Sequence, residues 1–163
     1  MTTTLPTTNA ARTSAQAGAH YKAPDWFTRK VLNKAVMGLT RLGISVRGSR
    51  VLEHRGRTTG ELHHTPVNVL TVEGKQYLVA PRGETQWVRN VRNAGGHMVL
   101  ILGRRRRICR ATELAPEDSL VILRTYLRKW KMETGMFFEG ITPDATDDEW
   151  LAVAPRHPVF VLR

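Results

Sequence analysis

The sequence is short of acids, of aromatics and above all of cysteine. One cysteine, Cys109, occurs in 163 residues. A lone thiol cannot close an internal disulfide, and its solitude agrees with a reducing, cytoplasmic setting. Cys109 lies in the apolar-alternating segment Arg107 to Thr112 and reads as a packing residue. No apolar run approaches the roughly 18 residues that a membrane-spanning helix requires. The first 23 residues lack the apolar core of a signal peptide and have too few large apolar side chains to order themselves, so a mobile tail is expected there. No spacing of His, Cys and acids matches a structural zinc site. Walker-type glycine loop, dinucleotide fingerprint and nucleophile elbow are all missing. His54, His63, His64, His97 and His157 are scattered and read as structural. Neither an internal repeat nor a dividing linker is evident.

What is present is positive charge on a globular composition. Lys and Arg number 25 against 14 acids, a net charge of +11. Such an excess attracts polyanions: nucleic acid, an anionic membrane face or an anionic small molecule. With 41% hydrophobic and 24% charged residues, the chain can bury one sizeable core. The expected organisation is a tail over 1–23 and a single domain over 24–163.

Asp25 can cap a helix from about Trp26 to Leu42, which Gly43 can end. Phe27, Val31, Ala35, Val36, Leu39 and Leu42 share one face of it. Arg29, Lys30, Lys34 and Arg41 lie mostly elsewhere. Such a helix docks on the body of the domain, and a basic amphipathic helix can also touch an anionic membrane. Arg50 to His54 alternates like a first strand. His63 to Leu70 alternates more fully, with Pro66 marking an edge or bulge, because proline cannot donate to a ladder. Glu73-Gly74 fits a two-residue hairpin turn into a strand from Gln76 to Ala80.

Gln86 to Asn93 reads as a short helix stopped by Gly95-Gly96. His97 to Leu102 and Ile108 to Leu114 read as a second hairpin; Gly103 turns into Arg104 to Arg107 between them, and the tip and returning edge are basic. Pro116 opens a helix to about Trp130, its acids at the start and its bases at the end, as the helix dipole favours. Met132 to Pro155 looks irregular, and Pro158 to Leu162 is a closing strand. Hairpins outnumber crossovers, which points to an α+β domain on an antiparallel, barrel-like sheet.

Two turns carry the chemistry. Arg57-Thr58-Thr59-Gly60 joins a guanidinium, two hydroxyls and a glycine, the donors that a phosphate or carboxylate needs. Pro81-Arg82-Gly83 ends an apolar strand, and Arg82 offers a planar fork for an acid or a ring carbonyl. Trp87 and Asn90 follow, three apart on one helix. An ordinary surface turn and a core tryptophan are the plain alternatives.

The ordered set is more specific than its pieces. It runs Gly-Arg-Thr-Thr-Gly, then Thr-Pro-Val-Asn, Glu-Gly, Val-Ala-Pro-Arg-Gly and Trp-Val-Arg-Asn-Val-Arg-Asn-Ala. In that order it resembles the deazaflavin-dependent nitroreductase family, small oxidoreductases that use the reduced coenzyme F420. The likeness covers about Val51 to Leu114, and His157 to Leu162 also looks like the family's end. It implies a split β-barrel with the coenzyme in a cationic groove. By resemblance, Arg57, Thr58, Thr59 and Gly60 bind the phosphate and acidic tail. Pro66, Val67 and Asn68 lie along the deazaflavin ring, with Ala80, Pro81, Arg82 and Gly83 at its edge. Trp87 and Asn90 match helix residues beside the phosphate and its linker. Tyr126 aligns loosely with a pocket tyrosine; it either gives a proton after hydride transfer or simply packs, and packing is the preferred reading.

There are departures. Pro81 stands where the family often has a serine, and Lys131 to Asp148 has no tyrosine where the family is tyrosine-rich. The resemblance therefore implies hydride transfer from reduced F420 to an activated C=C, quinone or nitro acceptor, with an apolar small molecule as partner. A barrel that binds FMN is the alternative, and a basic nucleic-acid-binding module stands third.

Overall fold

The structure, a computed structural model, describes residues 48–163. The tail over 1–23 and the helix from Trp26 to Leu42 lie outside the described residues. Six strands form a closed antiparallel barrel: β1 (Ser49–Arg55), β2 (Leu62–Val72), β3 (Lys75–Val79), β4 (His97–Leu102), β5 (Arg105–Glu113) and β6 (Val159–Leu162), in the order β1-β2-β3-β6-β5-β4. Among the described residues three α-helices accompany them: α1 (Gln86–Asn93), α2 (Pro116–Thr134) and α3 (Asp147–Val153).

Period-two alternation builds two cores on opposite faces of one wall. Inward-facing Leu52, Val69, Leu78, Met98, Leu100, Cys109, Ala111, Phe160 and Leu162 come from all six strands and fill the barrel. Leu70, Val79 and Val159 point the other way, onto Leu123, Tyr126, Leu127 and Trp130 of α2. The strand pattern thus reads as continuously apolar where both faces are covered, and as alternating where one face is wet.

β2 shows how the barrel splits. Its residues 62–68 pair with β1, whereas residues 69–72 pair with β3. Pro66 sits opposite Val51 in the first half, where the other side of the strand has no β3 partner. That is the edge position a proline needs. Glu73 and Gly74 both take positive φ, 49° and 75°, and make the tight turn to β3.

Two expectations are corrected. Arg105–Arg107 are not a hairpin tip: they pair in register with Leu102, Ile101 and Leu100, and the turn is Gly103-Arg104. Backbone pairing tolerates any residue whose side chain can reach water, and all of these arginines are exposed. The stretch before Pro155 is also less irregular than it looks. Thr146 and Glu149 form a capping box that starts α3, and Trp150 anchors that helix in the outer core. Among the described residues, no helix is long and apolar enough to cross a membrane.

Candidate functional site

The segment between β1 and β2 is a compact turn. Gly56 N–H donates to the Glu61 carbonyl at 2.8 Å, and Gly60 N–H donates to the Gly56 carbonyl at 2.9 Å. Arg55 reaches back, Nη1 donating to the Gly60 carbonyl at 3.0 Å. A Cβ at Gly56 would stand 2.8 Å from His63 Nε2 and 3.1 Å from Thr59 Oγ1, so a larger residue would push both side chains out of the turn.

α1 lies against this turn. Trp87, Val88 and Val91 enter the barrel core, Trp87 packing on Phe160 with ring centroids 5.6 Å apart. Gln86 and Asn90 are one helical turn apart, so they share a face, and that face meets Arg57. Arg57 Nη1 donates to Gln86 Oε1 at 2.6 Å and to Asn90 Oδ1 at 3.2 Å. The Arg57 backbone N–H also donates to Asn90 Oδ1, at 3.2 Å.

Asn90 is buried, and its other end is used as well. Its Nδ2 lies 3.1 Å from His54 Nδ1, and His54 Nε2 lies 3.1 Å from Thr65 Oγ1. Because Oδ1 accepts from Arg57, Nδ2 must donate; His54 Nδ1 is then an acceptor and the ring proton sits on Nε2.

Turn and helix enclose a hollow of about 320 Å³. It is lined by Gly56, Arg57, Thr58, Thr59 and Glu61, by His63 of β2 and by Gln86 and Asn90 of α1. Two hydroxyls and a guanidinium with donors to spare suit an anion. Glu61 works against one from the rim. A larger hollow of about 460 Å³ lies between α2 and residues 143–145. Its Arg124 and Arg128 are ion-paired with Asp147 and Asp144 at 2.6 and 2.8 Å, so it offers an anion less.

The structure thus brings Arg57, Thr58, Thr59 and Asn90 together at one hollow, with Gly60 closing the turn. It places the other named residues elsewhere. Val67 and Ala80 belong to the barrel core, with Trp87 beside them. Pro66 is exposed on β2. Asn68 hydrogen-bonds Tyr126, a buried residue whose hydroxyl is pushed up to about 12, chiefly by burial. Tyr126 therefore keeps its proton at neutral pH. Pro81-Arg82-Gly83 is tied to the C-terminal segment: the Pro81 carbonyl accepts from His157 Nδ1 at 3.0 Å, and Arg82 lies 5.3 Å from the Phe137 ring centroid.

Sequence reasoning passed over Gln86, His63 and His54. Spacing could have found Gln86, since it precedes Asn90 by four. His54 gives no local signal, because its partner is 36 residues away. No cluster of His, Cys, Asp or Glu able to hold a metal occurs among the described residues.

Two buried histidines make stability depend on pH. Burial is the largest cause holding both His54 and His157 below the ordinary value of 6.5. As pH falls through about 6.5, the unfolded chain binds protons that the folded histidines refuse. Stability is therefore full above that value and drops below it, by up to about 1.4 kcal/mol per pH unit per histidine. Urea midpoints should fall between about pH 7.5 and 5.5, and His157→Gln should flatten the slope. A midpoint indifferent to pH would count against neutral, buried rings.

No family model and no curated protein matches the sequence. Solved structures do. An F420H2-dependent reductase, FDR-A, aligns at 18% identity over 74% of this chain and 100% of its own, with a TM-score of 0.50. A structure described as a domain-swapped dimer aligns at 18% identity over 86% and 100%, with a TM-score of 0.52. A protein of unknown function from Agrobacterium tumefaciens aligns at 15% identity over 80% of this chain and 53% of its own, also at 0.52. The fold is a split β-barrel.

Proposed function

We propose that this protein is an F420H2-dependent reductase that passes a hydride to an activated C=C, quinone or nitro group of an apolar acceptor. The observation that carries the reading is the hollow at the β1–β2 turn. There Arg57 is held by Gln86 and Asn90 while Thr58 and Thr59 stay exposed beside it. The similarity to a reductase of that cofactor class supports it at the level of fold.

The donor set fits the phosphate and acidic tail of a deazaflavin coenzyme. At about 320 Å³ the hollow lies at the small end of the range of small-molecule pockets. The bound coenzyme supplies the hydride chemistry. The chain's part is to bind and to aim. Arg57 pairs with negative charge through the guanidinium nitrogens that Gln86 and Asn90 leave free. Thr58 and Thr59 add hydroxyl donors. Pro66 to Asn68 and Ala80 to Gly83 are proposed to border the ring. Tyr126 holds a proton at neutral pH and is the proposed donor to the carbon next to the one that receives the hydride. The net charge of +11 steers an anionic coenzyme inward.

Titration with oxidised F420, followed by quenching of protein fluorescence, tests this directly. Binding at micromolar concentration is expected. Absence of binding up to high micromolar concentration would sink the reading. Protein that purified yellow, with a flavin spectrum, would favour FMN instead.

A further inference from the structure

We propose that His54 is a positioning residue of the Arg57 hollow, its neutral ring setting the Asn90 amide that in turn holds the anion-binding turn, so that protonation of His54 weakens anion binding there. This rests on the anion-binding reading of the hollow given above.

Asn90 joins the two. Its Oδ1 accepts twice from Arg57, from the backbone N–H and from Nη1. Its Nδ2 can then only donate, and His54 Nδ1 receives it at 3.1 Å. A proton on His54 Nδ1 would set donor against donor. Rotating the amide to suit His54 would move the conflict to Arg57, which has only donors to offer. The amide satisfies both neighbours only while His54 is neutral. The group cannot relax into water either, since Asn90 and His54 are both 4% exposed.

Burial is the main reason His54 stays neutral, with two further histidines adding to it and a hydrogen bond to the Arg55 backbone pulling the other way. His63 of β2 stacks on it at 5.7 Å, and His64 follows on the same strand. Arg55 comes next on β1, and Arg57 lies beyond Asn90. The neighbouring carboxylate, Glu53, is taken by Arg106 at 2.6 Å and by His64 at 3.1 Å. From β4, Val99 pairs with Glu53 and brings no charge. From α1, Gln86 and Asn90 are uncharged. Glu61 lies at the rim of the hollow, where His54 contributes no wall. An anion in the hollow meets Asn90 and Arg57 before it meets His54. His63 lines the hollow and is itself an imidazole beside the anion's place. The experiment must remove it.

Oxidised F420 is titrated into His63→Gln protein from about pH 7.5 down to about 4.5, because burial moves the charging of His54 below the ordinary imidazole range. Affinity should fall several-fold on acidification, and adding His54→Gln, which cannot charge, should abolish the fall. At the upper pH, in an otherwise unaltered protein, His54→Phe should weaken binding by about tenfold. It should weaken binding by less in an Arg57→Ala background, where only the backbone N–H of residue 57 still links Asn90 to the turn, because contacts in one chain of hydrogen bonds do not add. Should His54→Phe fail to fold, His54→Gln enters the same cycle. A loss of equal size with and without Arg57 would overturn the proposal.

A readout without coenzyme separates this idea from the ligand assignment. In ¹H–¹⁵N spectra, the Asn90 side-chain amide and the Arg57 backbone amide should titrate together, with the pKa of His54. Coupled resonances with no coenzyme binding at any pH support the positioning and overturn the ligand reading. Uncoupled resonances overturn the positioning whatever the coenzyme does.

Discussion

Replacing Arg57 with alanine should weaken coenzyme binding by about 10- to 100-fold at low salt. Hydrogen bonds to a charged partner contribute about 1.5–3 kcal/mol, and each 1.4 kcal/mol is a tenfold change in affinity. Arg57 is exposed, so its removal leaves no cavity and stability should move by less than about 0.5 kcal/mol. Arg57→Lys should recover only part of the binding. A lysine keeps the charge, but it cannot bond Gln86 and Asn90 while presenting a second edge to the ligand. The loss should shrink as salt rises from about 0.05 to 0.5 M, because screening weakens long-range attraction first. Equal affinities for Arg57→Ala and the unaltered protein at low salt would falsify the assignment of the acidic tail to this turn.

Gly96→Ala should be the most damaging small substitution for the fold. Gly96 links α1 to β4 and is pressed against β5: its carbonyl accepts from Ala111 N–H at 2.8 Å. Its φ is +85°, and a Cβ would stand 2.1 Å from the Ala111 carbonyl oxygen. Nothing flexible is there to yield. A left-handed backbone costs a residue with a side chain about 1–3 kcal/mol, overpacking about as much again, and the broken hydrogen bond about 1 kcal/mol more. The sum of about 3–7 kcal/mol rivals the whole stability of many domains. Melting should fall by about 10–20 °C. Gly95 is the control. Its φ is +60°, but a Cβ there would meet no atom within 4 Å, so Gly95→Ala should cost only about 1 kcal/mol. Similar losses at both positions would mean that the contact with β5 is not the cause. The damage should reach the hollow too, since Gly96 sets where α1 ends and Asn90 is one turn upstream.

The elements were legible where one local rule decided them. Alternation located β2, apolar content located β4, and Gly95-Gly96 marked the end of α1. The Arg105–Arg107 part of β5 was hidden because charge suggests a turn, whereas strand pairing depends on the backbone and on the facing residues Leu100 to Leu102. α3 was hidden because it is only 7 residues long, although Thr146-Asp147-Asp148-Glu149 spells its cap. At the hollow, the turn itself announced its donors. Which residues would face it was another matter. Trp87 and Asn90 looked equivalent from their spacing, yet one enters the barrel and the other meets Arg57, a difference fixed by where α1 docks. His54 acquires a role only through a neighbour 36 residues away, which periodicity cannot reveal.

The plugged interior of the barrel has a consequence for how such a protein can change. With Phe160, Trp87 and aliphatic side chains occupying the lumen, no guest can be admitted without evicting structural mass. The hollow at the β1–β2 turn lies outside that packed lumen, where one short turn and one helical face meet. A lineage could exchange one small-molecule carrier for another by rewriting those few positions, while the packed centre stayed untouched.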